Sequence, residues 1–165
     1  MTPETIAAYA AGFFDGEGYV DVYKATQPKN GKSPSLMLRV VISQKDGKVM
    51  NWLVEHFQGG YVLQSRKDTF SIYRWDVRSQ HAKRFLETIL PYVIVKRKQV
   101  ELAIAYEKRK EQYLYNQKGS QGFNRLSDEE IKWRLDLREE LKRLKKDYAV
   151  YTKNSAPTTT KRMES

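Results

Sequence analysis

Apolar residues recur at helical and at strand spacing along the first ninety residues, and the two periods alternate. A first helix is predicted to begin after Thr2, with Pro3 in its first turn, and to end by Gly16 or Gly18. Period-two alternation predicts strands at 19–27 and 35–43, which are separated by a turn rich in Pro, Gly and Asn. The chain therefore opens with a helix followed by a β-hairpin.

The same succession then repeats along the next fifty residues. Asp46 is the predicted cap of a helix that runs through Phe57, and Gly59-Gly60 ends it. Strands are predicted at 61–65 and 70–77, with a turn at 66–68 between them, and a third helix spans about 80–90. A hairpin joined to a hairpin through a helix predicts an α+β domain, with a four-stranded antiparallel sheet and helices on one face.

Two further helices follow the predicted α-β-β-α-β-β-α core. One runs from Lys96 to about Tyr115, and Ser127 to Glu130 match a capping box that opens the other, which runs to about Tyr148. The prediction is a single domain at 1–152, comprising a core at about 5–106 and a helical extension at about 107–152. A Thr-, Lys- and Ser-rich tail at 153–165 is predicted to be disordered.

Strand alternation separates an apolar sheet face from an outward face with mixed side chains. Val20, Val22, Leu38, Ile42 and Trp75 are typical of the inner face. The outward Arg, Gln, Tyr, Ser and Asp side chains are of the kinds that contact base edges in a major groove, although a solvated face is the open alternative. The predicted DNA-contact positions are Asp21, Tyr23, Gln27, Lys29, Ser35, Met37, Arg39, Val41, Ser43, Ser65, Arg66, Lys67, Ile72, Arg74 and Asp76.

Composition favours the nucleic-acid interpretation. The net charge is +10 over 165 residues, with a pI of about 9.6, which indicates a polyanionic partner, although charge that serves only solubility is the alternative. The absence of cysteine excludes disulfides and thiolate metal sites, and His56 and His81 lie in separate predicted helices. The sequence shows neither an apolar run long enough to span a membrane nor a secretory signal, so an intracellular setting is expected, in a prokaryotic cytoplasm or an organelle.

The stretch GFFDGEGYV at 12–20 places two carboxylates at a predicted helix end. Ala8, Gly12 and Gly16 recur at intervals of four and form a stripe of small residues. Such a stripe packs either against the chain's own sheet or against the same helix of a second copy. In the second case two Glu17 side chains meet at helix ends that already carry partial negative charge, which favours a hard cation such as Mg²⁺.

The residues AAGFFDGEG at 10–18 resemble the signature of the LAGLIDADG homing endonucleases, with Ala10 in place of the leading Leu and Glu17 in place of the last acid. The segments ISQK and PYVIVKRKQ and the predicted order of elements extend the resemblance over about 5–106. It implies a saddle-like sheet. Because one motif copy is present, it also implies a homodimer that cleaves a near-palindromic site in double-stranded DNA.

The resemblance also implies roles for particular residues. Glu17 and the backbone carbonyl of Gly16 would be the metal ligands, for Mg²⁺ or another divalent cation such as Mn²⁺, and Asp15 would be structural. Gln44, Lys48 and Lys96 would surround the reacting phosphate, with Lys45 and Lys98 as alternatives to the two lysines. The predicted contact surface between the copies comprises Ala8, Ala11, Gly12 and Asp15.

The predicted activity is hydrolysis of DNA at a specific sequence, which is read chiefly by Tyr23, Gln27, Arg39 and Arg74. Lys24, Lys29, Lys32, Arg66, Lys67 and Arg78 would hold phosphates around that surface. Two alternatives remain: a module of the same fold that binds RNA or regulates without cleaving, and an RNA-binding protein that uses the basic segment 142–146. Double-stranded DNA is the favoured partner over RNA, and a solvated helix face is the preferred interpretation of the 142–146 segment.

Overall fold

A computed structural model of the protein describes residues 1–24, 35–67, 70–116 and 126–154, with side chains outside the description at 65–67, 70, 115–116 and 148–154. In chain order the elements are α1 (Pro3–Glu17), β1 (Gly18–Lys24), β2 (Leu36–Gln44), α2 (Gly47–His56), β3 (Tyr61–Lys67), β4 (Phe70–Arg78), α3 (Ser79–Ile89), α4 (Arg97–Asn116) and α5 (Asp128–Asn154). This order confirms the predicted succession of helices and hairpins.

Helix α1 begins and ends where its sequence predicts. The Thr2 hydroxyl accepts a hydrogen bond from the Thr5 amide at 3.3 Å, and Pro3 occupies the first turn, where its missing N–H leaves no bond unmade. At the other end the Gly18 amide donates to the Phe14 carbonyl. Strand β1 starts at Gly18, so Glu17 lies at the junction between helix and strand.

The four strands form one antiparallel sheet in the order β1-β2-β4-β3. The register places Val22 opposite Leu38 and Ile42 opposite Trp75, so the inward side chains of neighbouring strands meet on one face. Helices α1, α2 and α3 cover that face, where the Trp75 and Phe85 rings meet edge to face with centroids 4.9 Å apart. The predicted α+β architecture is confirmed.

Two predicted boundaries were wrong. Arg66 and Lys67 were predicted to lie in a turn at 66–68, but they belong to β3, where Arg66 pairs with Ser71 and Lys67 with Phe70. Helix α5 runs to Asn154 instead of ending near Tyr148, and so it includes the first two residues of the predicted disordered tail. The stretch from Asp128 to Asn154 contains neither Pro nor Gly, so nothing in its sequence stops the helix. Residues 155–165 lie outside the described part.

Helix α5 packs on α4 partly through charged side chains. Leu137 and Leu141 are buried, and Glu130 and Arg134 are buried on the same helix. The Glu130 carboxylate accepts from Arg134 at 2.8 Å and from Arg109 at 3.2 Å, which satisfies charges that would otherwise be costly to bury. Among the helices of the described residues, none is long and apolar enough to cross a bilayer.

Candidate functional site

The small-residue stripe of α1 faces outward. Ala8, Gly12 and Gly16 are all exposed, and a Cβ added at either glycine would meet nothing within 4 Å. The opposite side of the helix packs on the sheet through Ala10, Phe14 and their neighbours. Packing against the chain's own sheet is therefore the wrong interpretation of this stripe, which remains open to a second helix.

Two residues that were predicted to contact a second copy are covered within the single chain. Ala11 is fully buried, and Asp15 is only 9% exposed. The Asp15 carboxylate accepts hydrogen bonds from the amides of Ile94, Val95 and Lys96 at 2.8, 3.1 and 3.0 Å. Residues 11 and 15 are one turn apart on the inward side of α1, which explains why both are covered. Asp15 is thus a structural cap at the start of α4, as expected from the resemblance.

Lys96 bonds the end of α1 through its side chain as well as through its backbone amide. The Lys96 ammonium donates to the carbonyls of Phe14 at 3.0 Å and Gly18 at 2.7 Å, so a cation lies at the negative end of the helix dipole. Burial lowers the pKa of Lys96, and the nearby carboxylates of Asp15 and Glu17 oppose that shift. Lys98, the alternative to Lys96, is exposed on α4.

Glu17 has a different environment from Asp15. Its side chain is exposed beside the exposed Gly16, at the C-terminal end of α1. Because Gly18 pairs with Ile42, strand β2 continues past that pair and ends at Gln44, beside the helix–strand junction. The Gln44 side-chain oxygen accepts from the Lys45 amide at 3.1 Å. The structure thus brings Glu17, Lys96 and Gln44 to one end of the sheet.

Lys48 lies in the first turn of α2, shortly after Gln44 and Lys45 in the chain. Its amide donates to the Asp46 carboxylate at 2.8 Å, which confirms Asp46 as the cap, and its side chain lies in a shallow apolar groove with Tyr9 and Trp52. That groove adjoins the exposed side of α1. Both Lys45 and Lys48 are exposed, so the geometry of one chain does not choose between them.

The outward face of the sheet keeps most of its predicted residues accessible. Arg74 and Tyr23 are exposed, and among the remaining predicted positions those that are exposed or partly exposed are Asp21, Ser35, Met37, Ser43 and Ile72. Val41 and Asp76 were predicted to contact DNA, but they are 0% and 2% exposed. They lie opposite one another in the β2–β4 register at the centre of the sheet, where neighbouring side chains cover them.

Arg39 is held inside an ion-pair network on this face. Its guanidinium donates to Asp21 at 3.1 Å, lies 3.9 Å from Asp76, and is 4.9 Å from the centre of the Tyr23 ring. Arg78 bonds the same Asp76 at 3.0 Å and also the Tyr61 hydroxyl, so the network crosses all four strands. The Arg39 side chain is only 17% exposed and is held by these ion pairs. It therefore links neighbouring strands and is not free to contact bases.

Several predicted contact residues lie wholly or partly outside the described part of the chain. Gln27, Lys29 and Lys32 lie outside the described residues, between β1 and β2. Ser65, Arg66 and Lys67 belong to β3 by their backbone, but their side chains are outside the description.

Lys145 joins this region, although its sequence context favours a solvated helix face. Its ammonium lies 4.2 Å from the centre of the Tyr19 ring, two residues beyond Glu17. Arg138 of the same helix donates to the Val22 carbonyl at 3.1 Å. The signal in the sequence is the spacing of Arg138, Leu141 and Lys145, which share one side of a helix.

The donor set at the end of α1 fits a hard divalent cation. Glu17 offers an exposed carboxylate, and Gly16 leaves its backbone free of side-chain cover. Within the described residues of one chain, no group of three or more ligating His, Cys, Asp or Glu side chains forms. Glu17 is thus the carboxylate that one chain exposes at the end of α1.

Known proteins match this chain both in sequence and in fold. A sequence model of the family described as LAGLIDADG endonuclease matches residues 10–107. A search of curated proteins found no significant match.

Solved structures of similar fold fall into two groups by length. The homing endonuclease I-CvuI, in complex with the I-CreI target, has a TM-score of 0.65 and 18% identity, over 98% of this chain and 87% of that one. The archaeal intron-encoded homing endonuclease I-Vdi141I, complexed with DNA, has a TM-score of 0.57 and 16% identity, over 86% and 99%. The meganuclease I-SmaMI, bound to uncleaveable DNA, has a TM-score of 0.64 and 15% identity, over 81% of this chain but only 43% of that one.

Proposed function

This chain belongs to the LAGLIDADG endonuclease family, whose model matches residues 10–107 of its 165, and we propose that it is a homodimeric, sequence-specific DNA endonuclease dependent on a divalent cation. The observation that carries the proposal is the end of α1, where an outward stripe without side-chain bulk leads to an exposed Glu17 while Asp15 is buried as a cap. A pair of such helices brings two Glu17 carboxylates to one point. We propose a prokaryotic cytoplasm or an organelle as the compartment in which it meets its DNA.

The length comparison supports two copies. This chain covers almost the whole of I-Vdi141I but less than half of I-SmaMI, at similar structural agreement. A chain of that larger size has the length for two such folds, and two copies of the present chain would reach the same extent. The exposed glycines of α1 are the surface by which a second copy would approach.

In the proposed mechanism, the Glu17 carboxylate and the Gly16 carbonyl of each chain would hold a divalent cation. When bound, Mg²⁺ or Mn²⁺ supplies Lewis-acid stabilisation of negative charge and activation of water. Gln44 orients water near the phosphate. Lys96 fixes the end of α1 on which Glu17 is carried and adds positive charge beside it, and the exposed Lys48 or Lys45 adds charge from α2 or its approach. Hydrolysis breaks the bond from phosphorus to the 3′-oxygen as water adds to phosphorus.

The outward sheet face would read the duplex through its accessible residues. Arg74 and Tyr23 are the described residues best placed for base contacts, because their side chains are exposed. The side chains of Arg39, Asp21 and Asp76 interact with one another and would keep the strands at a fixed spacing across the groove.

The test is selection of cleaved sites from a randomised duplex library with the purified chain and Mg²⁺, followed by assay of Glu17→Gln on a selected site. We expect the variant to bind the site and to lose cleavage. The matched control is Glu4→Gln, which removes a carboxylate from the other end of the same helix and should cleave normally. Wild-type protein that binds a selected duplex without cutting it would support instead a binding-only member of the fold.

A further inference from the structure

Helix α5 runs beside the edge strand β1 toward the proposed active site. Arg138 Nε donates to the Val22 carbonyl at 3.1 Å, and seven residues later Lys145 lies over the Tyr19 ring. Seven helical residues advance about 10 Å, as do three strand residues. The helix is therefore antiparallel to β1, and its C-terminal half points to the end of the strand that follows Glu17.

The groove between α5 and β1 is basic on its helical side. It encloses about 230 Å³ and includes Arg138, Lys142 and Lys145 from α5, with Asp21 of β1 as its acidic side chain. Asp21 already pairs with Arg39 at 3.1 Å, and Lys142 pairs with Glu139 at 2.8 Å. Among the described residues, no carboxylate lies within ion-pair distance of Lys145, whose ammonium lies over the Tyr19 ring.

Lys145 is also close enough to affect the site electrostatically. The pKa of Lys96 is lowered mainly by burial, and the positive charge of Lys145 contributes to that lowering. Tyr19, on which Lys145 rests, is an outward residue of β1 and so continues the surface that faces DNA. A duplex seated on the sheet with a phosphate at Glu17 would bring its backbone past this edge.

We propose that the C-terminal half of α5 is a second binding surface for the phosphodiester backbone of the same duplex, with Lys145 as a positioning residue that holds a phosphate at the β1 edge next to Glu17. The inference rests on the proposed function, because the duplex is the substrate of the sheet. The Tyr19 ring holds the ammonium in place from one side and leaves the other side for a phosphate. Such a contact carries no sequence information, so it would strengthen binding to all duplexes equally.

The experiment compares Lys145→Gln with Arg143→Gln in the full-length chain. Both variants remove one positive charge from α5, but Arg143 points to another side of the helix and is paired with Glu140 and Asp147 at 2.6 and 2.9 Å. Affinity is measured for a random-sequence duplex of about 30 base pairs, between about 50 and 200 mM salt, in EDTA so that nothing is cut. Urea unfolding confirms that both variants are folded.

The expected result is a smaller salt dependence for Lys145→Gln alone. Removal of one phosphate-binding cation from each of two subunits lowers the slope of log affinity against log salt by about 1.8, which is about a tenfold difference over this salt range. Lys145→Arg should restore the wild-type slope. Arg143→Gln should match wild type.

The outcomes that overturn the inference are distinct from failure of the proposed function. A Lys145→Gln slope equal to wild type, or reduced affinity with an unchanged slope, would show that Lys145 only packs on Tyr19. Preferential loss of affinity for an RNA duplex of the same length would also overturn it, in favour of an RNA surface. If wild-type protein binds no duplex DNA, the proposed function itself fails, whatever the variants do.

Discussion

Asp15 and Glu17 are two residues apart on α1, and the fold gives them opposite roles. Asp15 is buried and satisfies three amides at the start of α4, where its negative charge also complements the positive end of that helix. Glu17 is exposed on the turn into β1. The spacing puts one carboxylate on the inner side of the helix and the other on its outer side, so neither can replace the other.

Replacement of these two acids should therefore have opposite consequences. Asp15→Ala leaves three amides without their acceptor and should lower the free energy of unfolding by about 3 kcal/mol. Glu17→Ala removes an exposed side chain and should change it by less than about 0.5 kcal/mol, while it abolishes cleavage. Urea unfolding and a cleavage assay on both variants measure the contrast. Equal destabilisation would mean that Glu17 has a structural partner.

At the scale of elements, the outward sheet face contains arginines of two kinds. Arg74 is exposed on β4, whereas Arg39 on β2 is bonded to Asp21 and lies beside the buried Asp76. Arg39→Ala should lower the free energy of unfolding by about 2 kcal/mol, because Asp76 would keep only Arg78 as a partner. Arg74→Ala should leave stability within about 0.5 kcal/mol of wild type.

Replacement of Arg74 and of Arg39 distinguishes a base contact from a residue that stabilises the sheet. Arg74→Ala should relax preference at particular base pairs of the selected site by about 1–3 kcal/mol. Selection from the randomised library with each variant, next to urea unfolding, measures both effects. A uniform loss of affinity over all sequences would make Arg74 a phosphate contact. An Arg39→Ala protein as stable as wild type would contradict the role of Arg39 in stabilising the sheet.

The elements themselves could be predicted from the sequence because their signals are local. Thr2 with Pro3, Asp46, and the alternation of Val20, Val22 and Leu38 each depend on neighbours within one turn or one strand. The residues on the outward sheet face could be predicted in the same way, but the ion pairs between them could not. Whether Arg39 is free or bound depends on the register that sets it opposite Asp21. Strand alternation gives the face on which a residue lies but not its partner on the next strand.

The site could be predicted in part for the same reason. Glu17, Asp15 and the stripe lie within one helix, where spacing along the sequence shows them. Lys96 comes from about eighty residues away and was predicted only through the family resemblance, and Lys145, from further still, was not predicted at this site. The packing of α5 on α4 includes ion pairs of the buried Glu130 with Arg134 and with the partly exposed Arg109, which hydrophobic periodicity does not predict. The prediction for Val41 was wrong because strand alternation shows which sheet face a side chain points to, but not whether neighbouring side chains bury it there.

At the scale of the whole molecule, the two copies must approach in spite of their charge. Each chain carries +10, so a dimer doubles that charge, and the exposed Glu17 pair at the centre would repel as well. Close contact between the two α1 helices has to offset this repulsion, and a helix surface without bulky side chains allows the nearest approach. Divalent cations would relieve the repulsion between the carboxylates, and DNA phosphates would relieve that between the basic surfaces. The assembly should therefore be most stable with both present.

Gly12→Ala distinguishes a dimerisation surface from an idle helix face. In the isolated chain the added methyl meets nothing within 4 Å, and Ala is a better helix former than Gly, so the free energy of unfolding should rise by about 1 kcal/mol. In a dimer the same methyl separates the paired helices, and the dissociation constant should rise at least about tenfold, or about 1.4 kcal/mol. Thermal unfolding below the dissociation constant measures the first effect and sedimentation equilibrium the second, with the exposed Thr88→Ala on α3 as the control. A Gly12→Ala chain that is more stable and associates as tightly as wild type would show that the copies meet elsewhere, and the proposed pairing of Glu17 side chains would fail with it.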